Sequence, residues 1–483
     1  MQYVPCHNPH ERKITMHTCP SSEYLQKVHP VAYSFIKELQ TAFDYISVLG
    51  TDSSGLAFSA TPGELRVSDS RWIERGFVFR AQRNGKIAEY ACTELPQTAS
   101  YIQEKLDELL SSPVTAIQYP LIPDEPAQKQ YFATIEKDPF TAPPESILSV
   151  LATIRDRLAA YSKEIIHTSA VAEFMRVSKI FISPNRSLEQ SFYWSQSYLI
   201  GLARRGNRTK EIYRSFSGLK GLELLDEMAT EIDDAGAVLM ELLDASSIEP
   251  GVYDVILDPD VSGTLAHEAF GHGVEMDMFV KKRARAAEYL GQPVASSIVQ
   301  MFDGAADVQH CGSYLFDDEG QFSTTTQIIK DGILLTGISD TLSALKLGTK
   351  PTGNGRRQAY DHKAYARMTN TYFAPGNDTL DAMIKSIEYG WLLQKMNSGM
   401  EDPKNWGIQL IVLIGREIKN GKLTGKVVNP VVCSGYVPEV LSNITMISKD
   451  FELSGSGHCG KGYKEYVKVS AGGPYIKTKM RLG

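Results

Sequence analysis

A fold of the α+β class is predicted, with an N-terminal half of helices packed on antiparallel sheet and a β-rich C-terminal half that carries one histidine-bearing helix. Three observations predict it. Before residue 250, runs with helical spacing alternate with short segments of period two. At Glu249-Pro250-Gly251 the texture changes to short apolar strands, many glycines and few long helices. The 483 residues, 42% of them hydrophobic, are also enough to fill two or three cores. The reading is an N-terminal α/β domain over 1–248, with two helix-plus-meander units at about 30–120 and 140–248, and a C-terminal β-rich domain over 249–483.

Residues 1 to about 28 are polar, with His7, His10 and His17 and no clear periodicity. Val31, Phe35, Ile36 and Leu39 then predict a helix over 30–42. Alternating segments at 45–49, 56–59, 64–68, 76–82 and 86–91, broken by Gly, Pro and Asp, predict an antiparallel sheet. A helix over 101–110 follows, and then a linker marked by Pro113, Pro120, Pro123 and Pro126. Ile147, Val150, Leu151, Ile154 and Leu158 predict a helix over 144–165, started by Pro143-Pro144. A hairpin over 174–183 and 189–204, a third strand over 210–216 and a long acidic helix over 218–244 complete this half.

Beyond residue 250, a strand over 253–257 leads to Asp258-Pro259-Asp260, where Asp260 could cap a helix with Val261, Leu265 and Ala269 on its apolar side. Further strands are predicted over 324–334, 408–416 and 423–428, the last two joined in a hairpin by Asn420-Gly421. A net charge of −7 gives no global basic footprint, so nucleic acid is not the expected partner. No apolar run approaches the ~20 residues needed to cross a bilayer, and no basic segment followed by an apolar core opens the chain. A cytoplasmic location is therefore the expectation. The six cysteines lack C-x-x-C spacing and read as reduced thiols.

The helix after residue 258 carries His267-Glu268-Ala269-Phe270-Gly271-His272, two imidazoles and a carboxylate of the kind that make a hydrolytic zinc site. The histidines are five apart rather than four. At about 100° per residue their offset is roughly 140°, which a regular α-helix cannot aim at one ion. If both bind one metal, the helix must open as in a π-bulge or end near Gly271, and Gly271 and Gly273 make either distortion cheaper. A catalytic zinc keeps three protein ligands, so one more is needed. Glu275, Asp277, His310, Cys311, His362, His458 and Cys459 are the candidates; Cys459 stands out in the glycine-rich loop Ser454-Gly455-Ser456-Gly457-His458-Cys459-Gly460-Lys461-Gly462. The basic cluster Lys281-Lys282-Arg283-Ala284-Arg285 reads as a solvated surface, one that sits close enough to the motif to contact a substrate carboxylate.

The segment from His267 to Glu275, together with Phe316-Asp317-Asp318-Glu319-Gly320, Pro351-Thr352-Gly353-Asn354-Gly355-Arg356-Arg357, Arg367-Met368-Thr369-Asn370-Thr371-Tyr372 and the Cys459-Gly460-Lys461 loop, resembles the TldD/PmbA family of metallopeptidases. Several separate motifs occur in order across residues 250–483, while the N-terminal half matches in layout only. The resemblance is to the TldD-type subunit, which keeps the motif that the PmbA (TldE)-type partner lacks. It implies zinc ligation by His267, His272 and Cys459, with Glu268 as general base in peptide hydrolysis by a zinc-activated water. It further implies unfolded or short peptide substrates and a homodimer or a heterodimer with a PmbA/TldE-type subunit. The segments 351–357 and 367–372 are expected to form substrate-facing loops or to shape turns. Two other functions fit the same residues: a non-catalytic, zinc-stabilised peptide-binding or assembly subunit, and a zinc hydrolase acting on another amide or ester.

Overall fold

The structure is a computed structural model and describes residues 16–112, 117–306, 309–462 and 465–483. Cys6, His7, His10 and Pro113 lie outside the described residues. In the N-terminal half eight strands form one sheet, with the path Arg208–Gly218, Arg186–Arg205, Ile165–Ile182, Tyr45–Ala60, Arg75–Arg83, Lys86–Cys92, and His17–Thr18 pairs separately with Thr134–Ile135. Neighbours on this path are antiparallel. The short strands Leu65–Asp69 and Ala127–Phe132 add to Tyr45–Ala60 and Arg186–Arg205 respectively. The two meanders meet edge to edge, Tyr45–Ala60 against Ile165–Ile182.

The segments 45–49 and 56–59, separate in the sequence reading, are one continuous strand of 16 residues. Gly55 interrupts the apolar pattern because a Cβ there would lie 1.9 Å from Met175 Sδ, and not because the chain turns. Both faces of this sheet are covered. On one, Ile46, Val48, Phe77 and Phe79 pack with the helices Glu23–Leu39 and Ala99–Ser111, and Phe58, Ala172 and Phe174 pack with Pro144–Ala160 and Ile232–Asp244. On the other, residues of the opposite parity, including Leu49, Met175, Val177, Phe181 and Trp194, pack on Cys311, Tyr314 and Phe316 of the C-terminal half.

Three helices differ from expectation, one of them the helix predicted over 144–165, which ends at Ala160, Ile165 opening a strand. The first runs Glu23–Leu39, capped by Ser22, whose hydroxyl accepts the Leu25 N–H at 3.1 Å; Pro30 lies inside it and not at its start. The long acidic helix is two, Glu223–Thr230 and Ile232–Asp244, separated at Glu231.

The C-terminal half holds an eleven-stranded sheet whose centre closes on itself. Gly251–Leu257 pairs with Tyr389–Asp402 on one side and Ser470–Leu482 on the other. The ring is completed through Gly407–Lys419 and Val431–Tyr436. The Asn420-Gly421 hairpin forms as predicted, both residues at positive φ (52° and 73°) and Lys419 facing Lys422. The helix Pro259–Ala266 leaves the ring after Leu257 and crosses Ser470–Leu482 so closely that a Cβ on Gly263 would lie 2.5 Å from Gly472 Cα. Its cap is Asp258 and not Asp260: Asp258 Oδ1 accepts the Val261 N–H at 2.9 Å, with Pro259 in the first turn where a missing N–H costs nothing. Asp260 Oδ2 instead accepts the Met396 N–H at 2.8 Å. No helix of the described residues is long and apolar enough to cross a membrane.

Candidate metal centre

After Ala266 the α-helix gives way to a π-helical turn, His267–Gly271, followed by a 3₁₀ turn, His272–Val274. The His272 N–H donates to the His267 carbonyl, an i→i+5 bond that brings residues five apart onto one side of the helix. This is the distortion the five-residue spacing demanded. Gly271 is required at the turn by packing, since a Cβ there would lie 2.0 Å from Met368 Sδ.

The turn sets the imidazoles of His267 and His272 nearly perpendicular, ring centres 5.1 Å apart, and Cys459 reaches them from the far end of the chain. One ligand atom from each of the three lies within 4.8 Å of the others, with His272 Nε2 3.2 Å from Cys459 Sγ. Burial alone would raise the Cys459 thiol, but the imidazoles of His272 and His267 and the Arg367 guanidinium hold it well below the usual thiol range. Among the described residues, His267 Nδ1 is buried without a hydrogen-bond partner. Two nitrogens and a thiolate around a common point, one imidazole still lacking a bond, fit a divalent metal of borderline softness.

Behind these three stands a second layer of charge. Glu275 Oε2 lies 3.4 Å from His272 Nδ1, which leaves Nε2 for the metal point. Glu275 is itself held by Lys461 Nζ at 3.0 Å and Arg367 Nε at 3.2 Å. The completely buried Arg367 also donates to the Cys459 carbonyl (2.8 Å) and Sγ (3.0 Å), and to the Glu465 carbonyl. Asp277 pairs with Lys461 and Lys281. Glu275 and Asp277, candidates for the third ligand, are thus supports of the cluster.

The remaining candidates do not join it. Cys311 is buried against Ser195, His362 Nδ1 faces Glu465 Oε2 at 3.0 Å, and His310 sits near Lys220 and Lys468. His458 points away from the cluster, stacked on Trp72 at 3.8 Å and edge-on to Trp194 at 5.5 Å. With the Tyr198 hydroxyl donating to the Ser456 carbonyl and the Gly455 N–H donating to Ser217 Oγ, it clamps the cysteine loop onto the N-terminal sheet.

Segments 351–357 and 367–372 turn inward instead of facing a substrate. Asn354, Thr369 and Thr371 all donate to the buried carboxylate of Asp303, because its desolvated oxygens need donors. Asp317, Asp318 and Glu319 likewise bind backbone and the N-terminal cations Lys179 and Arg80. Lys281 faces Asp277 and Tyr365, while Arg285 spreads over Trp406 and Tyr436.

His267, Glu268, His272 and Cys459 line a cavity of about 760 Å³, with Asp260, Met396, Gly399, Met400, Glu401 and Ser456 on other parts of its wall. Sequence reasoning missed Arg367 as the partner of the thiolate; it has no local signal, since it acts across the fold.

The profile of the PmbA/TldA metallopeptidase C-terminal domain matches residues 250–482. The chain is similar to a metalloprotease of Methanothermobacter thermautotrophicus, 30% identical over 67% of this chain and 71% of that one. It is also similar to a zinc metalloprotease TldD homolog of Saccharolobus solfataricus, 32% identical over 59% and 64% of the two chains. In fold it is like TldE from Thermococcus kodakarensis, with a TM-score of 0.72 at 15% identity, covering 93% of this chain and 99% of that one. The domain profile and the length and identity of the first relative's match place this chain in the PmbA/TldD family of metallopeptidases.

Proposed function

We propose that this protein is a zinc-dependent peptidase in which His267, His272 and Cys459 hold the metal and Glu268 is the general base. The observation that carries the reading is the π-turn cluster: two imidazoles and a thiolate within 4.8 Å, opening on a cavity that Glu268 also lines. A structural zinc usually takes four protein ligands, and three are gathered here among the described residues, which favours catalysis over a purely structural role. The similarity to a zinc metalloprotease supports the choice of metal. Zinc bound there supplies Lewis acidity for carbonyl polarisation and water activation.

Glu268 would take a proton from the attacking water on its carboxylate and return it to the leaving amine. Arg367 holds the Cys459 sulfur as thiolate, and Glu275, facing His272 Nδ1, orients that ring so that its Nε2 lone pair is free to ligate the metal. Peptide would lie along Tyr389–Asp402. That strand pairs with Gly407–Lys419 along its length, but with Gly251–Leu257 only as far as Leu393, and Asn397, Gly399 and Met400 line the cavity. An added strand would be held by its backbone, which suits substrates without a fixed sequence. The fold shared with TldE supports pairing with a TldE-type subunit or with a second copy.

The test is zinc content together with cleavage of an unfolded peptide library by the wild type, Glu268→Ala and Cys459→Ala. Glu268→Ala should retain zinc and lose about 10²-fold or more in rate; activity surviving that change would sink the mechanism. Cys459→Ala should lose zinc, and full occupancy would remove Cys459 from the ligand set.

A further inference from the structure

The strand Tyr389–Asp402 changes its support halfway along. As far as Leu393 it pairs with Gly251–Leu257, and Asp258 ends that ladder by donating its N–H to the Leu393 carbonyl at 3.0 Å. Lys395 then takes a φ of 63°, strained for a residue with a Cβ, and the pairing with Gly407–Lys419 skips Asn397 between Met396 and Ser398. Two carboxylates hold this bulge. Asp258 Oδ2 accepts the Lys395 N–H at 3.0 Å and Asp260 Oδ2 accepts the Met396 N–H at 2.8 Å, so successive amides of the bulge are tied to the start of the helix Pro259–Ala266.

Past the bulge, the strand lies along the helix that leads into the metal cluster. Asp260, Thr264 and Glu268 are spaced by four and form one stripe of that helix and its π turn. Asp260 meets Met396, and three residues farther along the strand Gly399 meets the other two: a Cβ there would lie 2.9 Å from Thr264 Cγ2 and 2.9 Å from Glu268 Cγ. The backbone of Gly399 is not left-handed, so close approach and not a backbone angle asks for glycine. Contact at Cγ limits the χ1 torsion of Glu268, on which the direction of its carboxylate depends.

We infer that Asp260 and Gly399 are positioning residues for the general base: Asp260 pins the bulge, the bulge seats Gly399 on Glu268 Cγ, and that seat aims the carboxylate at the water whose proton it takes. The inference rests on the peptidase reading above, in which Glu268 is the base. A freely rotating carboxylate would still leave the ligand set intact, since neither Asp260 nor Gly399 belongs to it. The device therefore acts on the rate of the chemical step and not on metal retention.

Steady-state cleavage of the most rapidly cut member of an unfolded peptide library is measured, with zinc content, for the wild type, Gly399→Ala, Asp260→Ala and Asp260→Asn. Gly399→Ala should lower kcat about tenfold or more with KM and zinc content unchanged, because the new Cβ meets Glu268, Thr264 and Leu410 before any metal ligand. Asp260→Ala should act alike, whereas Asp260→Asn, which keeps an oxygen for the Met396 N–H, should retain most of the rate. Joined to Glu268→Ala, Gly399→Ala should lower the residual rate no further, since its effect runs through that side chain. Wild-type kcat in Gly399→Ala or Asp260→Ala, zinc lost in step with rate, an Asp260→Asn as slow as Asp260→Ala, or losses that add in the double variant would overturn the inference. The reading of Glu268 as the base fails separately, if Glu268→Ala itself keeps the wild-type rate.

Discussion

Arg367 makes the centre's demands visible at the level of one side chain. It donates to the Cys459 sulfur, the Cys459 and Glu465 carbonyls and Glu275, all from one planar guanidinium. Arg367→Met should weaken zinc binding about 10–100-fold, measured by competition with a chelating indicator. Arg367→Lys should not restore it, because a point charge cannot span four acceptors. Glu74 allows a different residue-level test. Burial pushes its carboxyl up to about 7 from the ordinary 4.5, against the pull of Lys179 and the Tyr360 N–H. Between those values the folded protein binds a proton that the unfolded chain lacks, so this group's contribution to stability falls as pH rises from 4.5 to 7. Glu74→Gln should therefore stabilise the protein by about 1–2 kcal/mol at pH 8, a figure reduced for its partial exposure, and give no gain below pH 4.5. Chemical unfolding at the two pH values checks it; an equal gain at both would assign the effect to something other than the carboxylate.

Among the elements, the decisive one is the π turn between His267 and Gly271. Five-residue spacing forces the helix to widen if both imidazoles are to share an ion, and Gly271 lets Met368 press against the widened turn. Gly271→Ala should cost about 1–3 kcal/mol from overpacking against Met368 and also reduce zinc affinity, because relief of the clash moves His272. Thermal unfolding of the metal-free protein reads the first effect and metal titration the second; a loss of stability with unchanged affinity would mean that the turn tolerates displacement.

At the scale of the whole molecule, the N-terminal half supports a centre whose ligands all come from the C-terminal half. Cys459 is carried on the short strand His458–Lys461, whose His458 rests on Trp72 and Trp194, and the chain just before it is bound by Tyr198 and Ser217, all four from the N-terminal half. Trp72→Ala should therefore lower zinc affinity several-fold though Trp72 touches no ligand. Unaffected metal binding in a folded Trp72→Ala protein would show that the loop holds its shape alone.

The sequence by itself determined the parts that depend on neighbours along the chain. Period-two and period-3.6 runs located most elements, Asn420-Gly421 set its hairpin, and the His267–His272 spacing called for a distorted helix if both are to bind one metal. Choosing Cys459 from seven candidate ligands took family resemblance, because spacing carries no information about a contact 187 residues away. Only the tertiary structure decided which charges meet. It turned Glu275 and Asp277 from possible ligands into supports, drew the 351–357 and 367–372 segments inward around Asp303 and brought Arg367 to the thiolate. The physical reason is that pairing and desolvation depend on three-dimensional proximity, which local periodicity does not encode.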